Sequence, residues 1–173
     1  MYTIHVRFDR FRDINLSELI GAIGVYVIWD ARAKARPTYI GEGNILKRFA
    51  DHVGRNGRRF AHPWNGYAAI VSGSTHDVHK EESKAVERLL LDVANDTDRL
   101  PVANIQPGSW SAVLRFCRDE TLRLAISRYD PLIPPSEAKP FAGSKEIKAR
   151  VNDSGDIEVQ HGWRVRRLRA PIM

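Results

Sequence analysis

Between Gly24 and His52 the chain reads GVYVIWDARAKARPTYIGEGNILKRFADH, and this stretch restricts the possible folds more than any other. Two short apolar runs, Gly24 to Trp29 and Thr38 to Gly41, have strand composition, and a charged Ala/Arg/Lys turn separates them. A helical pattern follows at once. Asn44 is placed as its N-cap, and Ile45, Leu46, Phe49 and Val53 form the apolar stripe of a helix from Ile45 to about Val53. The layout is a hairpin and then a helix. Tyr26 and Tyr39 lie inside the two strands, while Arg48 and His52 stand one turn apart on one face of the helix. Tyrosine favours strands, so the two phenols alone predict only core or rim packing.

The flanking segments give a coarser pattern. YTIHVRF, residues 2–8, alternates as a strand, with His5 as a packed or surface residue, and Asn15 or Ser17 caps a turn at Leu16 to Ile20. This lead-in is expected to cover one edge of the hairpin's sheet. After the helix, GRNGRR forms a basic loop whose Arg55, Arg58 and Arg59 suit phosphate contact. His62 precedes an apolar strand, Tyr67 to Val71. Ser74 or Thr75 can cap a helix from about Asp77 to Ala94, with Asp77, Glu81 and Glu82 in its first turns and Val86, Leu89, Leu90 and Val93 as its buried stripe. Glu87 stands at the edge of that stripe. A carboxylate desolvated there is costly unless a cation or hydrogen bonds compensate, which makes it a ligand candidate.

Gln106-Pro107-Gly108 marks a boundary, after which Trp110 to Phe116 reads either as a strand or as the start of a helix reaching Arg128. PLIPPSEAKPFAG is an irregular linker or a surface arm, structure resumes at Lys145 to Arg150, and Asp153 to Gly155 is a tight turn. Ile157 to Gln160 then leads into a final run, Trp163 to Arg169, where arginine alternates with Trp, Val and Leu. That is the pattern of a half-exposed strand with a cationic face, and it makes Arg164, Arg166 and Arg167 candidate nucleic-acid contacts.

A chain of 173 residues can hold one domain, or a compact unit plus an extension. No apolar run approaches the ~20 residues that span a bilayer, and Met1 to Leu19 lacks the uninterrupted hydrophobic core of a secretory signal. A cytoplasmic protein without a membrane partner is therefore expected. The lone Cys117 excludes an internal disulfide and a thiolate zinc cluster. Formal net charge is +6, and it is unevenly spread: residues 1–104 hold 15 Lys/Arg against 13 Asp/Glu, residues 105–173 hold 12 against 8. A basic balance of this kind attracts polyanions.

Gly24-Val25-Tyr26 and Tyr39-Ile40-Gly41, followed by Arg48, His52 and Glu87 in helical segments and by Asn104, resemble the GIY-YIG nuclease family. Val25 replaces the usual isoleucine of the first tripeptide, and the second matches without change. The resemblance covers about Ile23 to Asn104. It implies an α+β fold with a small central antiparallel sheet flanked by helices, divided into a lead-in (1–22), a nuclease core (23–104) and a basic C-terminal extension (105–173).

The implied activity is metal-dependent endonucleolytic hydrolysis of DNA, restriction-type or toxin-type. The alternatives are a repair or recombination nuclease and a non-catalytic nucleic-acid-binding module of the same fold. Glu87 would bind one Mg²⁺ or Mn²⁺ per site, Arg48 would neutralise phosphate, Tyr26 would act as general base, Tyr39 would position water or phosphate and His52 would relay the proton. His62 competes with His52 for the histidine role, and Asn104 is a further active-site candidate. Double-stranded DNA is the expected partner of a monomer or homodimer, and RNA stays open.

Overall fold

A computed structural model describes residues 1–29, 36–53, 65–72, 77–97 and 110–169. Eight strands form one sheet: β1 (Tyr2–Arg10), β2 (Ile23–Ile28), β3 (Tyr39–Asn44), β4 (Gly66–Ser72), β5 (Leu122–Arg128), β6 (Phe141–Val151), β7 (Ile157–His161) and β8 (Arg164–Leu168). Their order across the sheet is β3-β2-β4-β1-β5-β6-β7-β8. Among the described residues three α-helices accompany them, α1 (Ile45–Val53), α2 (Asp77–Asp96) and α3 (Ser111–Cys117), with two short 3₁₀ turns at Phe11–Asp13 and Leu16–Leu19. The fold is α+β. No helix among the described residues is long and apolar enough to cross a membrane.

Local chemistry explains most of these elements. Ile4, Val6 and Phe8 of β1 are buried while His5 and Arg7 are exposed, the period-two pattern of a strand with one face on the core. All six residues of β2 are buried, because its neighbours β3 and β4 flank it and helices or turns cover both its faces. The Asn44 side chain accepts the Lys47 amide at 3.1 Å, capping α1 as its position predicts. Asn15 does the same for Ser17 at the second 3₁₀ turn.

The expected small antiparallel sheet is corrected to a large mixed one. Its first seven residues pair β1 in parallel with β5, and its last two, Asp9 and Arg10, pair antiparallel with Ala68 and Tyr67 of β4. The lead-in thus lies inside the sheet, joining the hairpin group to four strands from the basic C-terminal third. Neither reading of the segment from Trp110 is complete. A helix ends at Cys117, and Leu122, Leu124 and Ile126 then alternate inward as β5, because Arg118-Asp119-Glu120 offers no apolar face on which a helix could continue. Cys117 is buried, and burial pushes its thiol up to about 11, so it is an inert packing residue.

Two layers of core result. On one face of the sheet, α2 and α3 cover Ile4, Val6, Phe8, Val25, Val27, Ile40, Leu124 and Ile147. On the other, a smaller cluster of Phe11, Leu19, Ala22, Tyr26, Ile28, Ile45 and Ala68 is covered by the 3₁₀ turns and α1. The proline-rich segment is a packed arm. Pro131 and Leu132 are buried, the Trp29 indole donates to the Pro131 carbonyl at 3.0 Å, and the Tyr67 hydroxyl donates to the Ile133 carbonyl at 2.5 Å.

Tyr67→Phe removes one donor and leaves that carbonyl in a partly buried place. It is expected to destabilise the chain by about 1–2 kcal/mol, read as a lower denaturant midpoint with unchanged slope. An unchanged midpoint would show that the arm is held by packing alone.

Candidate active site at the edge of the sheet

Strand β3 is an outer strand of the sheet, and α1 follows it without a linking residue. The β2–β3 register sets Tyr26 opposite Gly41. A Cβ on Gly41 would lie 2.5 Å from the Tyr26 ring and 2.6 Å from that of Tyr39, so only glycine lets both phenols lie across the strand. The two rings stack with centroids 6.0 Å apart and planes at 28°. A hydrogen bond joins the hydroxyls and favours the Tyr39 phenolate. Tyr26 is buried and Tyr39 half-buried.

Gly43, at φ +118°, is a position that side chains rarely adopt, and the Arg48 side chain passes along it, with Nε 3.4 Å from where a Cβ would stand. From this place the guanidinium charge acts on Tyr26, Tyr39, Glu42 and Glu87 alike. Glu87 is half-buried on α2, which packs against β3 and β2 from the face opposite the phenols. Its charge nonetheless reaches both hydroxyls, because an outer strand leaves its flank open to groups from either face.

The sequence pattern missed Glu42. It lies half-buried between Gly41 and Gly43 on β3, and burial raises its carboxyl against the pull of Lys84 and Arg48. A lone charged residue between two glycines in an apolar strand was the available signal. Burial, and after it the charge of Glu42, push Glu87 up to about 7, against the lowering by Arg88, Arg48 and Lys84. Burial also raises both phenols, and at Tyr26 it outweighs the lowering by Arg48. Tyr26 is therefore a protonated donor unless further positive charge is present.

The other expected residues are placed as follows. His52 is on α1 one turn beyond Arg48, and its side chain lies outside the described residues, as do His62, Asn104, Arg55, Arg58 and Arg59. The tail arginines are on β8, with two of them turned toward α2. Arg164 donates to the Asp96 carbonyl and carboxylate, each at 3.2 Å, and Arg166 stands 3.6 Å from the buried Asp92. Both serve to hold β8 against the helix. Arg167, on the opposite face, stands 3.4 Å from Glu158.

Among the described residues, no three His, Cys, Asp or Glu side chains gather as a metal-binding group. The donors that are present still suit a hard divalent cation. Two half-buried carboxylates, one of them held near neutral pKa by burial and then by the charge of the other, carry charge that such an ion would compensate.

The shift of Glu87 has a consequence for stability. In the folded chain its carboxyl keeps its proton up to about pH 7, whereas in the unfolded chain it ionises near 4.5. Stability from this group is present below 4.5 and lost as pH rises through 7. Glu87→Gln should therefore raise unfolding free energy at pH 8 by on the order of 3 kcal/mol and leave it unchanged at pH 4, both in chelator. Equal effects at the two pH values would show that the carboxyl is not desolvated. Comparison of the chain with protein-family models, curated proteins and solved structures returns no significant match.

Proposed function

We propose that this chain is a GIY-YIG-type, metal-dependent endonuclease that hydrolyses DNA phosphodiester bonds. One observation carries the reading: Tyr26 and Tyr39 stack across Gly41 of the outer strand β3, the Arg48 side chain passes along Gly43 of the same strand, and Glu87 lies on α2, which packs against that strand, near enough for its charge to act on both phenols. A packed core has no use for a carboxylate poised near neutrality beside a fixed guanidinium and two stacked phenols. Phosphodiester hydrolysis does.

Glu87 would hold the cation, with Glu42 adding negative charge beside it and water or phosphate oxygens completing the shell. A bound divalent ion supplies positive charge to the phosphate and to the departing alkoxide. The chain's own residues do the rest. Arg48 neutralises the non-bridging oxygens with a planar guanidinium fork that can meet two of them at once. Tyr39, the less buried of the two phenols, orients the attacking water or the phosphate through its hydroxyl. Tyr26 takes the proton of that water as its own phenolic proton passes on, and this demands that its burial be offset by positive charge. Arg48 supplies part of that charge, and His52, one turn away on α1, receives the proton. Restriction-type and toxin-type enzymes both fit this site, and discrete fragments against a random smear tell them apart.

Purified chain should nick and linearise supercoiled plasmid with Mg²⁺ or Mn²⁺ and not with chelator. Glu87→Gln should abolish cleavage while DNA binding stays measurable, and Tyr26→Phe should lower the rate by at least ~100-fold. At limiting Mg²⁺ the rate should fall below about pH 7 as Glu87 takes up a proton, and the midpoint should move to lower pH as Mg²⁺ is raised. Full activity in Glu87→Gln would reject the ligand assignment. Plasmid binding with no cleavage in either metal would leave a non-catalytic module.

A further inference from the structure

Alternation in β1 and β5–β8 sorts side chains onto two faces. The buried Ile4, Val6, Leu122, Leu124, Ile147, Ala149, Ile157 and Val159 lie beneath α2 and α3. The opposite face carries the residues between them, and among the described residues no helix packs on it. It is the same face on which Tyr26 lies, since Tyr26 pairs with Ala68, and Ala68 with Asp9 of β1. A groove of about 540 Å³ lies where that face meets the 3₁₀ turns, and with Asp9, Asp13 and Glu18 against Arg7 and Arg128 its lining is not basic, so it bounds the cationic row at the β1 end.

The charge on this face is ordered. On the strands themselves each acid of this face stands between two bases: Asp9 by Arg7 and Arg128, Glu146 by Arg123 and Lys148, Glu158 by Arg150 and Arg167. Both bases of each set pair with their acid, so each set carries a net charge of +1 and positive charge repeats from β1 to β8. The register sets Arg123 beside Lys148, and it sets Arg150 and Arg167 on either side of Glu158. The most outlying of these cations are solvent-accessible, with the side chains of Arg7, Arg150 and Arg167 each about two-thirds exposed at 64%, 63% and 66%. Strands about 4.8 Å apart spread the row over roughly 20 Å.

We propose that this open sheet face is a docking surface for the sugar-phosphate backbone of duplex DNA. The choice of DNA rests on the nuclease reading. The choice of duplex rests on the face itself. Single strands are held by aromatic rings that stack on bases, and the described residues of this face in β1 and β5–β8 include no Phe, Tyr or Trp. Spaced arginines with no aromatic ring among them on the strands recognise phosphates and carry no base readout, and the exposed Trp163 lies off the strands, in the turn between β7 and β8. The arginines turned toward α2, Arg164 and Arg166, are spent on Asp92 and Asp96 and are not part of the surface.

Binding of a fluorescent 30-base-pair duplex, measured in chelator over a range of salt, tests this without any cleavage step. The variant Arg123→Ala/Arg150→Ala/Arg167→Ala removes the surplus charge of two sets and should bind at least tenfold more weakly at ~0.1 M salt, with the slope of log affinity against log salt reduced by about 2. Arg118→Ala, after α3 on the helix side of the sheet, should bind as the parent does, and matching thermal midpoints exclude unfolding as the cause. Equal affinity of parent and triple variant overturns the proposal, as does tighter binding of the single-stranded form, or no duplex binding by the parent at all. A parent that binds duplex through this face yet never cuts it overturns the nuclease reading and leaves the surface assigned.

Discussion

Strand β1 is what makes this one sheet. Seven of its residues lie parallel to β5, and only Asp9 and Arg10 reach across to β4, so the hairpin that carries the phenols and the strands of the C-terminal third share a sheet through the two ends of a single strand. A parallel pairing needs a long connection, and the chain between β1 and β5 supplies it with the whole hairpin-and-helix unit. The position of β1 sets which faces are continuous: Tyr26, Ala68 and Asp9 fall in one row, and the candidate active site and the open basic face become neighbours on one surface.

The candidate site depends on a second constraint, the conflict between burial and charge at an outer strand. Burial raises both phenols and both carboxyls, while Arg48 lowers all four. Burial prevails at all four, and Glu87 is left near neutrality. In water these groups would titrate at ordinary values and couple weakly; deep in the core they would be neutral and inert. The edge of the sheet, with α2 on one face and the phenols on the other, is where partial desolvation and mutual reach coexist.

Glycine decides the local geometry at two places. Gly41 leaves the room into which the phenols lean, and Gly43 takes a positive φ along which Arg48 passes. Both lie in the segment Tyr39–Asn44, so one strand positions three of the four groups and introduces the helix that bears Arg48. Glu42, between those glycines, is the residue that pattern reading passed over. Its meaning comes from α2 lying opposite, and no local periodicity contains that fact.

The sequence by itself determined the hairpin, the bounds of α1 and its Asn44 cap, the long helix bearing Glu87 and the inward alternation of β1, because each follows from chain-local chemistry: side-chain period, capping and turn residues. Only tertiary structure decided the size of the sheet, the parallel β1–β5 pairing, the packing of the proline-rich arm and the fate of the tail arginines. A strand of alternating Arg with Val and Leu looks the same whether its cations meet solvent, phosphate or a helix. The register of β8 on β7, with Asp92 and Asp96 of α2 beneath, turned Arg164 and Arg166 inward and left Arg167 on the open face. Pairing partners far apart in the chain are chosen by the free energy of the whole core, and that choice leaves no mark within any single segment.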